Sequence, residues 1–192
     1  AWEADLERVR EESAAALKAR TIADQEERSH AQVQGWLRDL GHSLGFSVWI
    51  AANDRNRPHN GGRLGDGCVA TLPAALETSS GADAVRLIDV LWLERTSSAE
   101  SPTERVAAAF EVEHTTSIYS GIVRMLDLAL GVPEHESVRL FLVAPDAREE
   151  DVRQQLARPA FRRVADLSVR FLPYGELANN RESMSRFGSG LK

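Results

Sequence analysis

The sequence predicts an α/β fold in which a mixed β-sheet is flanked by helices. Two observations support this prediction. From residue 29 onward, short apolar segments typical of strands alternate with amphipathic segments typical of helices, in the order α, β, β, β, α, β, α, β. The early strands follow one another without an intervening helix and should be antiparallel, whereas the later, helix-linked strands can add in parallel. At 192 residues and 43% hydrophobic composition, the chain can form one domain with a proper core.

The N-terminal segment is rich in Ala, Glu and Arg and has only a weak apolar stripe, which predicts a charged helical extension or connector over residues 1–28. A second helix is predicted over 29–44, with Ser29 as a candidate N-cap. Gly41 and Gly45 should mark the end of this helix. The apolar residues at helical spacing in it are Val33, Trp36, Leu37, Leu40 and Leu44.

Three strands are predicted in the middle of the chain. The first covers 46–52 and is followed by a loop rich in Gly, Asn and charge over 53–67. The other two, 85–94 and 106–115, flank a polar turn at 96–104 and should form a hairpin.

The C-terminal third predicts helix-linked strands. A helix at 117–130 precedes an almost continuously apolar strand at 137–146, which is typical of a strand covered on both faces. A helix at 147–157 leads to a last strand at 167–174, and a weak helix or tail follows. The predicted divisions are a helical extension at 1–28, one domain at 29–178 and a C-terminal tail at 179–192.

Composition narrows the class of protein. The net charge of −6 and pI of about 5.4 exclude a generally basic protein, so contact with DNA would have to be local. The best place for it is 152–192, which holds eight basic residues against three acidic ones. A single cysteine, and the absence of a signal peptide or a long apolar run, predict a cytoplasmic protein without a membrane partner. The chain lacks an initial Met, so either an upstream domain precedes it in a longer chain or the numbering omits upstream residues.

Three carboxylates in otherwise apolar strands are the chemically informative feature. Glu111 and Glu113 share one face of the strand "VAAAFEVEHT", and Asp89 is the one acid within "RLIDVLWL" of the preceding strand. If the strands pair, the three acids lie together and repel one another unless a cation is present. A hard divalent cation such as Mg²⁺ resolves this conflict and suits phosphodiester hydrolysis. Alternatively, the glutamates lie on a solvated face and Asp89 pairs with Arg86 or Arg124.

This arrangement resembles the PD-(D/E)XK superfamily of restriction-endonuclease-like nucleases, whose core is α-β-β-β-α-β. The resemblance implies that Asp89 and Glu111 are metal ligands. Glu113 stands where most members have a lysine that positions or activates the attacking water, and it would bind metal or orient that water. Longer segments are similar to bacterial restriction or defence proteins of this superfamily: "LGHSLGFSVWIAANDRNR", "RLIDVLWLE", "FEVEHTTSIYSGIVRMLDL" and "LFLVAPDAREEDVRQQLARPAF".

Many members of the superfamily also carry a glutamate on the first helix. The matching region, "EERSHAQVQGW", offers Glu26, Glu27, Gln32 or Gln34, and Gln32, one turn before Trp36, is the best match. It would support the site by weak ligation or by orienting water.

Six residues are candidates for contact with DNA. Three lie in the loop "NDRNRPHNGGR", where Asn and Arg are the residue types that hydrogen-bond to adenine and guanine edges. Two lie at the start of a predicted helix, where they would either cap it or contact phosphate. The sixth lies on that helix and would meet phosphate or neutralise the carboxylates. In chain order, these residues are Asn53, Arg55, Arg57, Thr116, Ser117 and Arg124.

We therefore expect a DNA endonuclease domain that depends on Mg²⁺ or Mn²⁺ and acts in restriction or defence. A homodimer would supply the two sites that double-strand cutting needs. Two alternatives stay open at this point. One is a catalytically degenerate DNA-binding or regulatory module on the same fold, and the other is an interaction domain that uses residues 1–28 as its contact surface.

Overall fold

The computed structural model of the protein describes residues 2–96, 103–114, 118–132, 138–162 and 168–189. They form seven α-helices and seven strands, with a 3-10 turn at Asp146–Arg148 before the fifth helix. The elements in chain order are α1 (Trp2–Ser43), β1 (Ser47–Ile50), β2 (Pro58–His59), β3 (Gly62–Arg63), α2 (Ala74–Glu77), α3 (Ala82–Val85), β4 (Val90–Thr96), β5 (Thr103–Val112), α4 (Ile118–Gly131), β6 (Arg139–Ala144), α5 (Glu149–Leu156), α6 (Pro159–Arg162), β7 (Arg170–Pro173) and α7 (Tyr174–Ser189).

The central element is a five-stranded sheet in the order β1-β4-β5-β6-β7. β4 pairs antiparallel with β1 and β5, and β6 pairs parallel with β5 and β7. The predicted mixed sheet is therefore confirmed, and so is the predicted hairpin, although its strands are β4 and β5 with shifted ends. The parallel connections run through α4 and through α5 and α6, because parallel neighbours need a crossover.

Two apolar layers cover the sheet. On one face, Leu37 of α1 and Leu177 of α7 pack with Phe110 of β5. On the other face, Met125 of α4 and Val152 of α5 belong to a second core. Because alternate residues of a strand point to opposite faces, β5 contributes to both layers. The molecule thus has helices on both sides of the sheet.

Helix α1 differs from the prediction, since it runs without a break through Ser29 and Gly41. Gly41 lies inside the helix because Trp92 packs against it: a Cβ there would lie 2.5 Å from Trp92 Nε1. Trp92 Nε1 donates a hydrogen bond of 3.0 Å to the carbonyl oxygen of Leu37. Gly45, with φ of 92°, follows the helix end as expected, since glycine tolerates this conformation.

The segment before β4 also differs from the prediction. Residues predicted to begin a strand at 85 instead end the short helix α3, and β4 starts at Val90. Asp89 therefore lies at the entrance to the strand rather than within it. β5 likewise ends at Val112, which leaves Glu113 just beyond its carboxyl end.

The predicted loop at 53–67 contains the small hairpin β2-β3. The weak C-terminal helix is the well-formed α7. The domain divisions remain predictions, and α1 and α7 run across the boundaries drawn after residues 28 and 178. None of the helices in the described ranges has both the length and the apolar composition needed to cross a bilayer.

Candidate active site

Asp89 is the centre of a buried polar cluster at one end of the sheet. Its side chain is buried, and each of its two oxygens has partners. Oδ2 accepts a hydrogen bond of 2.7 Å from the backbone N–H of Val112, across the hairpin. Oδ1 faces α1, where it accepts a 3.0 Å bond from Gln34 Nε2 and lies 3.1 Å from His30 Nε2. The backbone bond fixes the carboxylate at the carboxyl end of β5.

A second aspartate, Asp54, joins this cluster from the turn after β1. It is buried, and its Oδ2 accepts a 2.8 Å bond from the same Gln34 Nε2. Arg57 Nε lies 2.7 Å from the other oxygen, Oδ1. Burial lowers the pKa of His30, but the hydrogen bond to Asp89 and the charges of both aspartates outweigh this effect, so the pKa lies above its ordinary value.

Glu111 is fully buried and forms a two-pronged ion pair with Arg124 of α4. Arg124 Nε donates to Oε1 at 2.8 Å and Nη2 to Oε2 at 2.6 Å. Burial raises the pKa of the Glu111 carboxyl well above its ordinary value, Arg124 opposes the rise, and the charges of Asp89 and Glu113 add to it. These influences indicate that the three predicted acids interact electrostatically.

Glu113 is also buried, and its position depends on a glycine of α4. Its backbone N–H donates to the carbonyl oxygen of Val143 at 2.8 Å. A Cβ on Gly121 would lie 2.7 Å from Glu113 Oε1 and 3.2 Å from Glu111 Cβ. A Cβ at this position would therefore displace the Glu113 carboxylate and crowd Glu111. The alternative that the two glutamates lie on a solvated strand face is therefore wrong.

The same alternative paired Asp89 with Arg86 or Arg124, and the described contacts contain neither pair. Among the described contacts, Arg86 pairs with Glu77 of α2 and Arg124 with Glu111. Asp89 instead meets an amide, an imidazole and a backbone N–H.

Tyr174, the first residue of α7, closes the cluster from the β7 side. Its ring stacks on His114 with centroids 5.9 Å apart, and its buried hydroxyl has no hydrogen-bond partner among the described residues. Burial raises the pKa of Tyr174, and the charges of Asp89 and Glu113 raise it further. Arg148 Nη1 donates to the carbonyl oxygen of His114 at 3.2 Å. These contacts hold the chain in place just after Glu113.

A scan against family models matches residues 11–187 to the model described as the C-terminal domain of the Type II restriction enzyme NmeDI. The chain belongs to this family. Among curated proteins, the Type II restriction enzyme NmeDI of Neisseria meningitidis serogroup C is 31% identical over 152 residues. That alignment covers 77% of this chain and 40% of the relative, so the chain spans about two fifths of the relative's length. No solved structure matches. The protein is thus a restriction-enzyme-related domain.

Within this restriction-enzyme-related domain, the helix residue beside the acids is Gln34, whereas Gln32 is exposed. Both were candidates from the sequence, and Gln32 was the preferred one. Gln34 lies three residues before Leu37, which packs against the sheet, so the two share one helical face. This spacing is the signal in the sequence that could have identified Gln34. His30, one turn earlier, lies on that face too and was missed. Asp54 was missed because a loop has no periodicity from which a face can be inferred.

The predicted DNA-contacting residues fall into four groups. Asn53 is exposed. Arg55 donates to the carbonyl oxygens of residues 69 and 70 and lies over the Trp49 ring, and Arg57 pairs with Asp54, so both are engaged within the protein. Arg124 neutralises Glu111, one of its two predicted roles. Thr116 and Ser117 lie outside the described residues.

Proposed function

We propose that this chain is a metal-dependent DNA endonuclease domain of the PD-(D/E)XK type that works in restriction or defence. The observation that carries the proposal is the burial of three acids, Asp89, Glu111 and Glu113, at one end of the sheet of a restriction-enzyme-related chain. The order α1, β1, β4, β5, α4, β6 supports a restriction-endonuclease-like core. Asp and Glu side chains are rarely buried unless they are paired or belong to a functional site.

The donor types at this end of the sheet suit a divalent cation. Asp89 and Glu113 supply carboxylate oxygens, which Mg²⁺ and Mn²⁺ prefer. Gln34 has a buried side-chain oxygen, Oε1, without a hydrogen-bond partner among the described residues. Glu111 also offers oxygens, but Arg124 occupies both, so we infer that Glu111 becomes a ligand only when Arg124 turns away. When bound, the cation lowers the pKa of a water molecule and stabilises charge on the phosphate.

The side chains of this site would share the remaining work. Asp89 is held by the Val112 N–H and needs little reorganisation to bind a cation. Glu113, at the position of the superfamily's lysine, would accept a proton from the attacking water or orient it. Arg124, once released from Glu111, would contact the phosphate as a planar, permanently charged donor. DNA is the proposed substrate because the relative's description is that of a restriction enzyme.

The proposal is tested by incubating supercoiled plasmid with the chain and Mg²⁺ or Mn²⁺. We expect cleavage by the wild type and its loss in Asp89→Asn and in Glu111→Gln, two isosteric substitutions. Asp83→Asn is the matched control, because Asp83 is a fully exposed aspartate of α3. Absence of cleavage by the wild type on both modified and unmodified DNA would contradict the proposal.

A DNA-binding module without catalytic activity is the second candidate. It is favoured by Glu113 at the lysine position and by the neutral Gln34 next to Asp89. Its signature would be binding of DNA without cleavage, with an affinity that falls steeply as salt rises.

A further inference from the structure

We propose that His30, Gln34, Asp54 and Asp89 form a second divalent-cation site, which shares Asp89 and Gln34 with the proposed nuclease site. The inference deepens the proposed function. It rests on that function only in the role that it gives the cation in cleavage. Binding itself can be tested separately. One ligand atom each from His30, Asp54 and Asp89 lies within 4.8 Å of the others, so a single ion can reach all three.

Each aspartate has one oxygen fixed and turns the other towards the cluster. Asp89 Oδ2 is bound by the Val112 N–H, which leaves Oδ1 for the cluster. Asp54 Oδ1 lies 2.7 Å from Arg57 Nε, which leaves Oδ2 for the cluster. Such supporting contacts orient metal ligands in proteins. The two inward oxygens would be held in place before any ion arrives.

Gln34 provides independent evidence of a ligand. Its side chain is fully buried, and its amide end lies between the two aspartates: Nε2 is 2.8 Å from Asp54 Oδ2 and 3.0 Å from Asp89 Oδ1. The oxygen of the same amide, Oε1, is buried and has no partner among the described residues. An unmatched buried acceptor destabilises the folded protein. A half-turn of the amide would direct Oε1 at the same centre, where a cation would satisfy it.

The orientation of His30 agrees with this assignment. Nε2 lies 3.1 Å from Asp89 Oδ1 and 3.8 Å from Asp54 Oδ2. A nitrogen that faces two carboxylate oxygens must carry either a proton or a metal, because its lone pair would otherwise oppose theirs. The ring therefore presents its ligating atom to the cluster.

The composition of the set indicates the class of ion. Two carboxylates, one amide oxygen and one imidazole nitrogen make a mainly hard site with one borderline donor. Mn²⁺ accepts this mixture, whereas Mg²⁺ prefers oxygen ligands and retained water. Glu111 does not enter this set, because Arg124 holds both of its oxygens. The nitrogen ligand thus distinguishes the second site from the nuclease site, whose proposed carboxylate ligands are Asp89 and Glu113.

The test measures Mn²⁺ binding to the purified chain by electron paramagnetic resonance. Pulsed measurements on the same samples detect whether a nitrogen atom ligates the bound ion. We expect the wild type to bind Mn²⁺ with a nitrogen signature. Asp54→Asn should weaken this binding by about tenfold or more. His30→Gln should abolish the nitrogen signature, whereas Glu111→Gln and the exposed control Asp83→Asn should keep it.

The outcomes separate this inference from the proposed function. The second site is refuted if the wild type binds no Mn²⁺. It is also refuted if the bound Mn²⁺ has no nitrogen ligand and Asp54→Asn binds Mn²⁺ as tightly as the wild type does. Plasmid cleavage that persists in that case would leave the proposed function standing. Nitrogen-ligated Mn²⁺ without cleavage of any DNA would support the second site and refute the nuclease. Because His30→Gln and Asp54→Asn alter different elements, misfolding of one variant leaves the other as a test.

Discussion

Both carboxylate oxygens of Glu111 accept hydrogen bonds from the guanidinium of Arg124, at 2.8 and 2.6 Å. The pair joins β5 to α4, and its carboxylate has no exposure to solvent. The bond to Glu111 raises the pKa of Arg124, so the guanidinium stays charged at any pH at which the protein folds. Without Arg124, the buried Glu111 carboxylate would lose the positive charge that compensates it.

Arg124→Met should destabilise the protein strongly, because it removes the charge that compensates buried Glu111 while keeping most of the apolar stem of the side chain. We expect the free energy of unfolding to fall by about 3–5 kcal/mol in metal-free buffer, measured by urea titration. The double variant Arg124→Met/Glu111→Gln should recover part of this loss. Arg153→Met is the control, since Arg153 makes exposed pairs on α5 and its loss should cost less than about 1 kcal/mol. Equal losses in the two single variants would contradict the buried-pair interpretation.

Gly121→Ala should reduce cleavage without reducing stability. The added Cβ would lie 2.7 Å from Glu113 Oε1, so the flexible carboxylate must move. It would also lie 3.2 Å from Glu111 Cβ, which must shift slightly, and the helix preference of alanine, about 1 kcal/mol, offsets this cost. We expect the melting temperature to hold or rise and the rate of plasmid cleavage to fall by about tenfold or more.

Gly131→Ala is the matched control at the end of the same helix, because its Cβ would have no neighbour closer than 3.7 Å. It should leave cleavage unchanged. Full cleavage by Gly121→Ala would show that the position of the Glu113 carboxylate does not matter for the reaction.

Tyr174→Phe should leave stability unchanged or raise it by up to about 1 kcal/mol. The hydroxyl is buried and has no partner among the described residues, so removing it removes an unmatched polar group while the stacking on His114 remains. Thermal unfolding measures the change, and Tyr119→Phe, at an exposed position of α4, is the reference. A loss above about 1 kcal/mol would mean that the hydroxyl makes a stabilising hydrogen bond.

Cys68 should react slowly with alkylating reagents while the protein is folded. Burial raises the pKa of its thiol to about 11, and only the thiolate reacts. At pH 8 we expect alkylation about 200-fold slower than in the guanidinium-unfolded chain, whose thiol has a pKa of about 8.5. Between pH 8 and 10 the folded rate should rise about tenfold per pH unit, because the thiolate fraction does. A folded rate that levels off near pH 9 would contradict the raised pKa.

Periodicity and turn chemistry predicted most of the architecture. The hairpin, the helix that follows it and the apolar strand β6 all follow from patterns that the structure retains. The continuity of α1 was not predicted, because Ser29 and Gly41 suggest breaks in isolation. Gly41 is explained by Trp92, which is distant in sequence and packs against it. Tertiary contact therefore overrode the local signal.

The candidate site was predictable only in part. Acids in an apolar strand are conspicuous in the sequence, so Asp89, Glu111 and Glu113 could be singled out. Gln34 and His30 lie on the face of α1 that Leu37 marks, but the contact of this face with Asp54 depends on how a loop folds back against it. A loop has no period that would reveal this approach.

The most direct test of the central claim measures DNA binding and Mg²⁺- or Mn²⁺-dependent cleavage in the same samples of wild type and Asp89→Asn. A catalytic metal ligand should matter for the chemical step more than for contacts with the DNA backbone. We predict that both proteins bind DNA with similar affinity at a fixed salt concentration and that only the wild type cuts it. Cleavage by Asp89→Asn at the wild-type rate, or DNA binding without cleavage by the wild type, would contradict the account.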